Sequence, residues 1–177
     1  MAQAKKAPGK LPSRSVSKAA LKSFLARATA LAGPILSEMG LELVLAQAPL
    51  AGGRPVIRFF IDRPQGSAGV SLDDCAAVSR ALESALEAFE AEAPAGYVME
   101  ISSPGLDRPL LKPEDCRRFQ GRLARLKLRQ SGLLRVFRGR LAPSETGNLA
   151  LETANGRVEF EWTEVVSGRL TGDEAIL

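Results

Sequence analysis

The sequence predicts an α+β first half followed by an all-β second half. Three observations lead there. Apolar residues recur at helical spacing twice before residue 90, on either side of a pair of strand-like runs. After residue 120 the apolar residues alternate instead, in short runs broken by tight turns. Between the two patterns lie Pro104, Pro109 and Pro113, the mark of a stiff connector.

The elements follow in order. Residues 1–18 carry Lys5, Lys6, Lys10, Arg14 and Lys18 among Gly, Pro and Ser, with no apolar period, and are expected to form a disordered basic tail. Leu21, Phe24, Leu25, Ala28, Leu31, Ala32, Ile35, Leu36 and Met39 share a stripe, so residues 19–39 are expected to be helical. Gly33-Pro34 interrupts that stripe and predicts a kink or break near residue 32; Gly40 suits the helix end. Leu41, Leu43 and Leu45 alternate as a first strand. Val56 to Ile61 makes a second, largely apolar on both faces, joined to the first by a hairpin through Pro49 to Gly53. Ser71 and Asp74 form a capping-box pattern ahead of a second helix, whose apolar stripe is Cys75, Val78, Leu82, Ala85, Leu86 and Phe89. Tyr97 to Ser102 is a third strand, with Met99 and Ile101 on one face. Residues 19–103 are thus expected as α-β-β-α-β, two helices on a three-stranded sheet.

Residues 104–119 form the proline-rich connector, with a helical turn begun by Pro113. Over residues 120–177 the alternating runs are Ala124-Leu126-Leu128, Phe137-Gly139-Leu141, Leu149-Leu151 and Val158-Phe160-Trp162. Turns fall at Ser131-Gly132, at Pro143 to Asn148 and at Asn155-Gly156, the last a strong hairpin signal. This predicts a small barrel of SH3-like or Sm-like type.

Charge sharpens the picture. The 177 residues carry a net charge of +4, and the sign changes along the chain. By block the net charge is +6 over residues 1–40, −6 over 71–102, +8 over 103–140 and −5 over 141–177. Such blocks either polarise the surface towards an anionic partner or mix into solvated faces in three dimensions. Histidine is absent, which removes the commonest general base and metal ligand. Cys75 and Cys116 are too few and too far apart for a zinc site, and no phosphate-binding glycine loop occurs. No catalytic residue, cofactor or metal is expected. No apolar run is long enough to cross a bilayer and no secretory leader is visible, so a cytoplasmic protein is expected, with reduced thiols.

Tyr97 to Gly121 reads YVMEISSPGLDRPLLKPEDCRRFQG. This stretch closely resembles the signature of the bacterial ribosome maturation factor RimP family, in which a strand enters Ser-Ser-Pro-Gly-Leu-Asp-Arg-Pro-Leu and then a short proline-led helix. The resemblance extends over about residues 20–165. It departs from the family's pattern at the basic tail and after Trp162, which leaves the last strand open. It implies a monomeric, non-catalytic factor that binds the immature small (30S) ribosomal subunit, through its RNA or a ribosomal protein near the decoding centre, and promotes assembly. The alternative is a general Sm-like module for messenger or small RNA.

Three groups of residues are candidates. Side chains two apart on a strand share a face, so Arg125, Lys127 and Arg129 line one wall, joined by Arg138 and Arg140 if their strands pair. These cations either contact phosphates or are ordinary outward charge partly balanced by Glu159 and Glu161. In the motif, Ser102, Ser103, Pro104, Gly105, Asp107, Arg108 and Pro109 are expected to set the angle between domains, with Gly105 at a positive φ as in a type II turn. Arg108 is also a candidate contact to the particle. On the second helix, Asp73, Asp74, Glu83 and Glu87 either receive a basic ribosomal protein or form a solvated face. Only nine aromatic residues are present and Phe59, Phe60, Phe137 and Phe160 suit core positions, so contact to backbone, RNA shape or protein is expected over stacking on bases.

Overall fold

The computed structural model describes residues 17–64, 69–144 and 148–172. It divides into two compact units, Met1–Ser103 and Pro104–Leu177. Residues 1–16 of the expected basic tail lie outside the described residues.

The first unit opens with α1 (Lys18–Glu38). Phe24, Ala28, Ala32 and Leu36, each one turn after the last, are its buried residues. Of the kink or break expected near Gly33-Pro34, the break does not occur: the helix runs on through both residues. Pro34 forfeits one backbone bond, but the buried stripe continues on both sides of it, and seating a large apolar side chain is worth about 1.5–3 kcal/mol. Gly40, at φ +66°, ends the helix: the Leu41 N–H donates to the Leu36 carbonyl and the Gly40 N–H to that of Ser37.

A four-stranded sheet follows, one strand more than the sequence pattern suggests. It contains β1 (Glu42–Gln47), the two-residue β2 (Leu50–Ala51), β3 (Arg54–Asp62) and β4 (Val98–Ser102). The strand β3 pairs antiparallel with β1 and β2 and parallel with β4. Parallel pairing needs a crossover, which α2 (Leu72–Glu87) supplies. A register shift between Leu43 and Leu45 interrupts the expected Leu41-Leu43-Leu45 alternation, so that Leu43 and Ala46 pack on the core. Ile57, Phe59 and Ile61 face the helices and meet Val78, Leu82 and Leu86 of α2. The opposite face of β3 is not wholly apolar: Arg58 bridges to Glu100, its partner in register on β4, at 2.6 Å.

The second unit is built on one six-stranded ladder. Its strands are β5 (Pro109–Leu110), β6 (Leu123–Gln130), β7 (Leu133–Ala142), β8 (Leu149–Thr153), β9 (Gly156–Phe160) and β10 (Val165–Leu170). Their spatial order is β5-β10-β6-β7-β8-β9. Among the described residues the end strands β5 and β9 do not pair, so the ladder is open and not a closed barrel. Two glycines allow close approach within it. A Cβ at Gly139 would overlap the Glu152 carbonyl, and one at Gly168 would press on the Leu126 side chain. Leu126, Leu128, Leu151, Phe160 and Leu170 share the core with Leu110 and Cys116.

Two local expectations need correction. Trp162 does not extend β9; the strand stops at Phe160 and Trp162–Glu164 is a single 3₁₀ turn leading into β10. The stretch read as a connector is structured within the second unit: β5 pairs with β10, and α3 (Pro113–Arg118) follows. Both cysteines are free thiols; burial pushes Cys116 up to about 12, so it is protonated and inert at neutral pH.

Candidate nucleic-acid interface

Strand register decides which cations meet. On β6 and β7, Arg125 lies opposite Arg138, Lys127 opposite Val136, Arg129 opposite Leu134 and Leu123 opposite Arg140. Residues opposite one another share a face, so Arg125, Lys127, Arg129, Arg138 and Arg140 stand on one side of the sheet. On the other flank of β6, β10 places Arg169 opposite Arg125. The result is a row, Arg169–Arg125–Arg138, across three adjacent strands. At the usual strand spacing of about 4.8 Å, the three stems fall within about 10 Å.

Like charges directly opposite one another destabilise a sheet. Among the described residues, Arg125, Lys127, Arg138 and Arg169 have no carboxylate within ion-pair distance. Arg140 is held differently, donating to the Gly121 carbonyl at 2.9 Å. The acids of the neighbouring strands do not neutralise the row. Arg157 on β9 pairs with Glu159 at 3.4 Å and reaches Glu152 at 4.0 Å. Glu161 accepts hydrogen bonds at the 3₁₀ turn that precedes β10, one from the Thr163 hydroxyl. The face is therefore cationic in three dimensions as well as in sequence.

Two shallow grooves flank the row. One, of about 280 Å³, lies along β10 and β6 between Lys127, Arg169 and Val136. The other, of about 380 Å³, lies towards β8 and is lined by Leu123, Arg138, Gly139, Arg140, Glu152 and Ala154, among others. At the hairpin end Leu134 and Val136 are half-exposed on the same face, beside Arg129 and Lys127.

On α2 the acids divide. Asp74 is engaged locally: it accepts from the Ser71 N–H at 2.9 Å and from Arg63 at 2.9 Å, while its own N–H donates to the Ser71 hydroxyl. The Ser71 backbone bond first, then the Ser71 side chain and Arg63, hold the Asp74 carboxyl below the usual range. Glu83 accepts from the Ser79 hydroxyl. Glu83, Glu87 and Glu90 line a groove of about 460 Å³ with Leu86 and Tyr97. Burial, and secondarily Glu83 and Glu90, raise the Tyr97 hydroxyl. Asp73 is exposed in the first turn, away from that groove.

The motif residues belong to both units. Ser102 ends β4, and its hydroxyl donates to the adjacent Ser103 carbonyl. Pro104 opens the second unit with ψ −11°, followed by Gly105 at φ +64°. Gly105 does take the positive φ, but a type II turn would need ψ near +120° at the proline, so the turn is of another kind. Asp107 is exposed, and Pro109 lies in β5 opposite Arg169.

A comparison with protein-family models matches residues 31–107 to the RimP N-terminal domain. Over that stretch the chain is similar to the RimP family. The matched region runs from the second half of α1 to Asp107 of the RimP motif, and the cationic row lies beyond it. Within that motif Arg108, read both as a structural residue and as a candidate contact, is only 5% exposed. Its guanidinium lies 4.9 Å from the Phe119 ring centroid, and its carbonyl accepts the Leu170 N–H. Its side chain is thus packed within the second unit. Conversely, the sequence pattern omits Arg169. The available signal was the alternation from Ser167 to Arg169 ahead of buried Leu170, in the segment where RimP resemblance fades.

Proposed function

We propose that this chain is a cytoplasmic, monomeric assembly factor of the RimP family that binds the immature small ribosomal subunit and acts without catalysis. The similarity of residues 31–107 to the RimP N-terminal domain supports a role in ribosome maturation. The observation that carries the contact is the Arg169–Arg125–Arg138 row, set by the pairing of β10, β6 and β7. An unneutralised row of guanidinium groups suits the phosphate backbone of structured RNA, whose bound counterions each contact releases. The curled sheet that carries the row is read as an open relative of the SH3-like and Sm-like barrels. A non-catalytic role fits a chain without histidine, whose motif serine Ser102 bonds to its neighbour's carbonyl. The mechanism is a population shift: a factor with higher affinity for correctly folded RNA favours that state by the difference in affinity. The ribosomal protein or RNA near the decoding centre is the proposed neighbour, and the groove of Glu83, Glu87 and Glu90 suits a basic protein there.

Co-sedimentation with small subunits, large subunits and an unrelated structured RNA, over a salt series, tests this reading. Selective, salt-sensitive binding to the small subunit is expected. Equal binding to every RNA would instead mark a general RNA module, and binding to none would overturn an RNA role.

A further inference from the structure

We infer that the groove towards β8 accepts a single unstacked nucleobase bearing an exocyclic amino group, while the adjacent arginine row holds the flanking phosphates. This rests on the reading of the basic face as RNA-facing and adds what that face distinguishes. The groove differs from the rest of the face in two respects. Its lining holds more small or apolar groups, Leu123, Ala124, Gly139 and Ala154, against Val136 and Gly168 in the other groove, where Arg125, Lys127 and Arg169 make up half the lining. Its volume of about 380 Å³ lies in the range of small-ligand clefts, which combine apolar walls with a few polar groups.

The second respect is charge. Among the described residues Glu152 is the one acid lining the groove, opposite Arg140 in register. Its side chain is 64% exposed, and its nearest ion-pair partner, Arg157, is at 4.0 Å. A carboxylate repels a phosphate, so the backbone is steered towards Arg138 and Arg125 and away from Glu152. A carboxylate accepts from the amino group of cytosine, and the same chemistry serves adenine, whereas uracil offers no such donor. Gly139 lets β8 approach closely beside the groove, since a side chain there would collide with the Glu152 carbonyl. A base inside a duplex cannot enter; one in a loop or bulge can.

The test measures binding of the full chain to short homopolymers of ribo-A, ribo-C and ribo-U and to a blunt RNA duplex. Ribo-C and ribo-A are expected to bind about fivefold more tightly than ribo-U, the worth of one such base contact. Glu152→Gln should erase that preference, because an amide also donates to the uracil carbonyl. Ala154→Leu, at an exposed position, should fill the groove and weaken single-strand binding while duplex binding stays constant. The combined variant Arg125→Ala, Arg138→Ala, Arg169→Ala should weaken all four probes. If the order of homopolymers is flat in the parent, or unchanged in both groove variants, the base pocket is wrong and the basic face stands. If the arginine variant binds like the parent, or the parent binds no RNA, the reading of the face itself fails, and the pocket with it.

Discussion

Charged side chains in this chain fall into two regions with opposite uses. Around α2 and in the turn before α3 they are engaged in the fold: Asp74 caps a helix and holds Arg63, and Asp115, only 5% exposed, accepts from the N–H groups of Leu111 and Lys112. In the row across β10, β6 and β7 they are not, since Arg169, Arg125 and Arg138 stand side by side with no ion-pair partner among the described residues. The lesson is that block charge does not locate a binding surface. The −6 block over residues 71–102 is partly consumed by capping and ion pairs, whereas the +8 block over residues 103–140 contains both buried Arg108 and exposed Arg138. Engaged charge should govern stability and unengaged charge should govern binding.

The largest effect should come from an engaged charge. Asp115→Ala leaves two backbone donors without their acceptor and should cost about 2–5 kcal/mol. Arg108→Ala should cost about 2 kcal/mol through weaker packing on Phe119 and leave the salt dependence of RNA binding unchanged. Denaturant unfolding followed by the fluorescence of Trp162, the sole tryptophan and a member of the second unit, reads both. If Arg108→Ala instead kept its stability and lost RNA affinity, the division between the regions would break.

The unengaged row should behave in reverse. Replacing Arg125, Arg138 and Arg169 by alanine should lower the slope of log affinity against log salt by about two to three, close to one for each phosphate that is no longer neutralised. Stability should hold or rise slightly, because like charges opposite one another are removed. A salt titration of RNA binding beside a thermal melt checks both halves of that expectation.

These contrasts show what the sequence could and could not carry. Periodicity located α1, α2 and most strands, because burial of one face is written into every fourth or second residue: Phe24, Ala28, Ala32 and Leu36 for a helix, Leu126 and Leu128 for a strand. It located Arg125, Lys127, Arg129, Arg138 and Arg140 as wall residues, yet could not supply register, which joins Arg169 to Arg125, 44 residues away in the chain. It could not show that Arg108 turns inward, since a lone arginine between Asp107 and Pro109 looks the same buried or exposed. It overestimated Pro34, because local propensity does not weigh the core on both sides.

A smaller effect is expected at the start of α2. Ser71→Ala removes the capping hydroxyl and should cost about 1 kcal/mol. The pH dependence has a definite sign. The folded state lowers the Asp74 pKa, so its contribution is present above the unfolded value, about 3.9, and fades as pH falls through the lowered folded value. Asp74→Asn should therefore be less stable than the parent at neutral pH and equal to it in strong acid, as followed by the helical circular-dichroism signal.

The smallest effect on the isolated chain should come from the triple change of Glu83, Glu87 and Glu90 to glutamine. These are exposed carboxylates, so unfolding free energy should shift by no more than about 0.5 kcal/mol. Tyr97 offers a direct local readout, being the sole tyrosine. Burial is the main reason its hydroxyl is raised, and Glu83 and Glu90 add to it, so removing their charge should bring the hydroxyl down part of the way in an ultraviolet titration. Naked RNA should bind as before, because the cationic row is untouched. Binding to the immature small subunit then discriminates. A fall in that affinity alone means the acids around Tyr97 receive a basic protein surface. No change on any substrate means they are a solvated face, and the whole of the recognition belongs to the arginines.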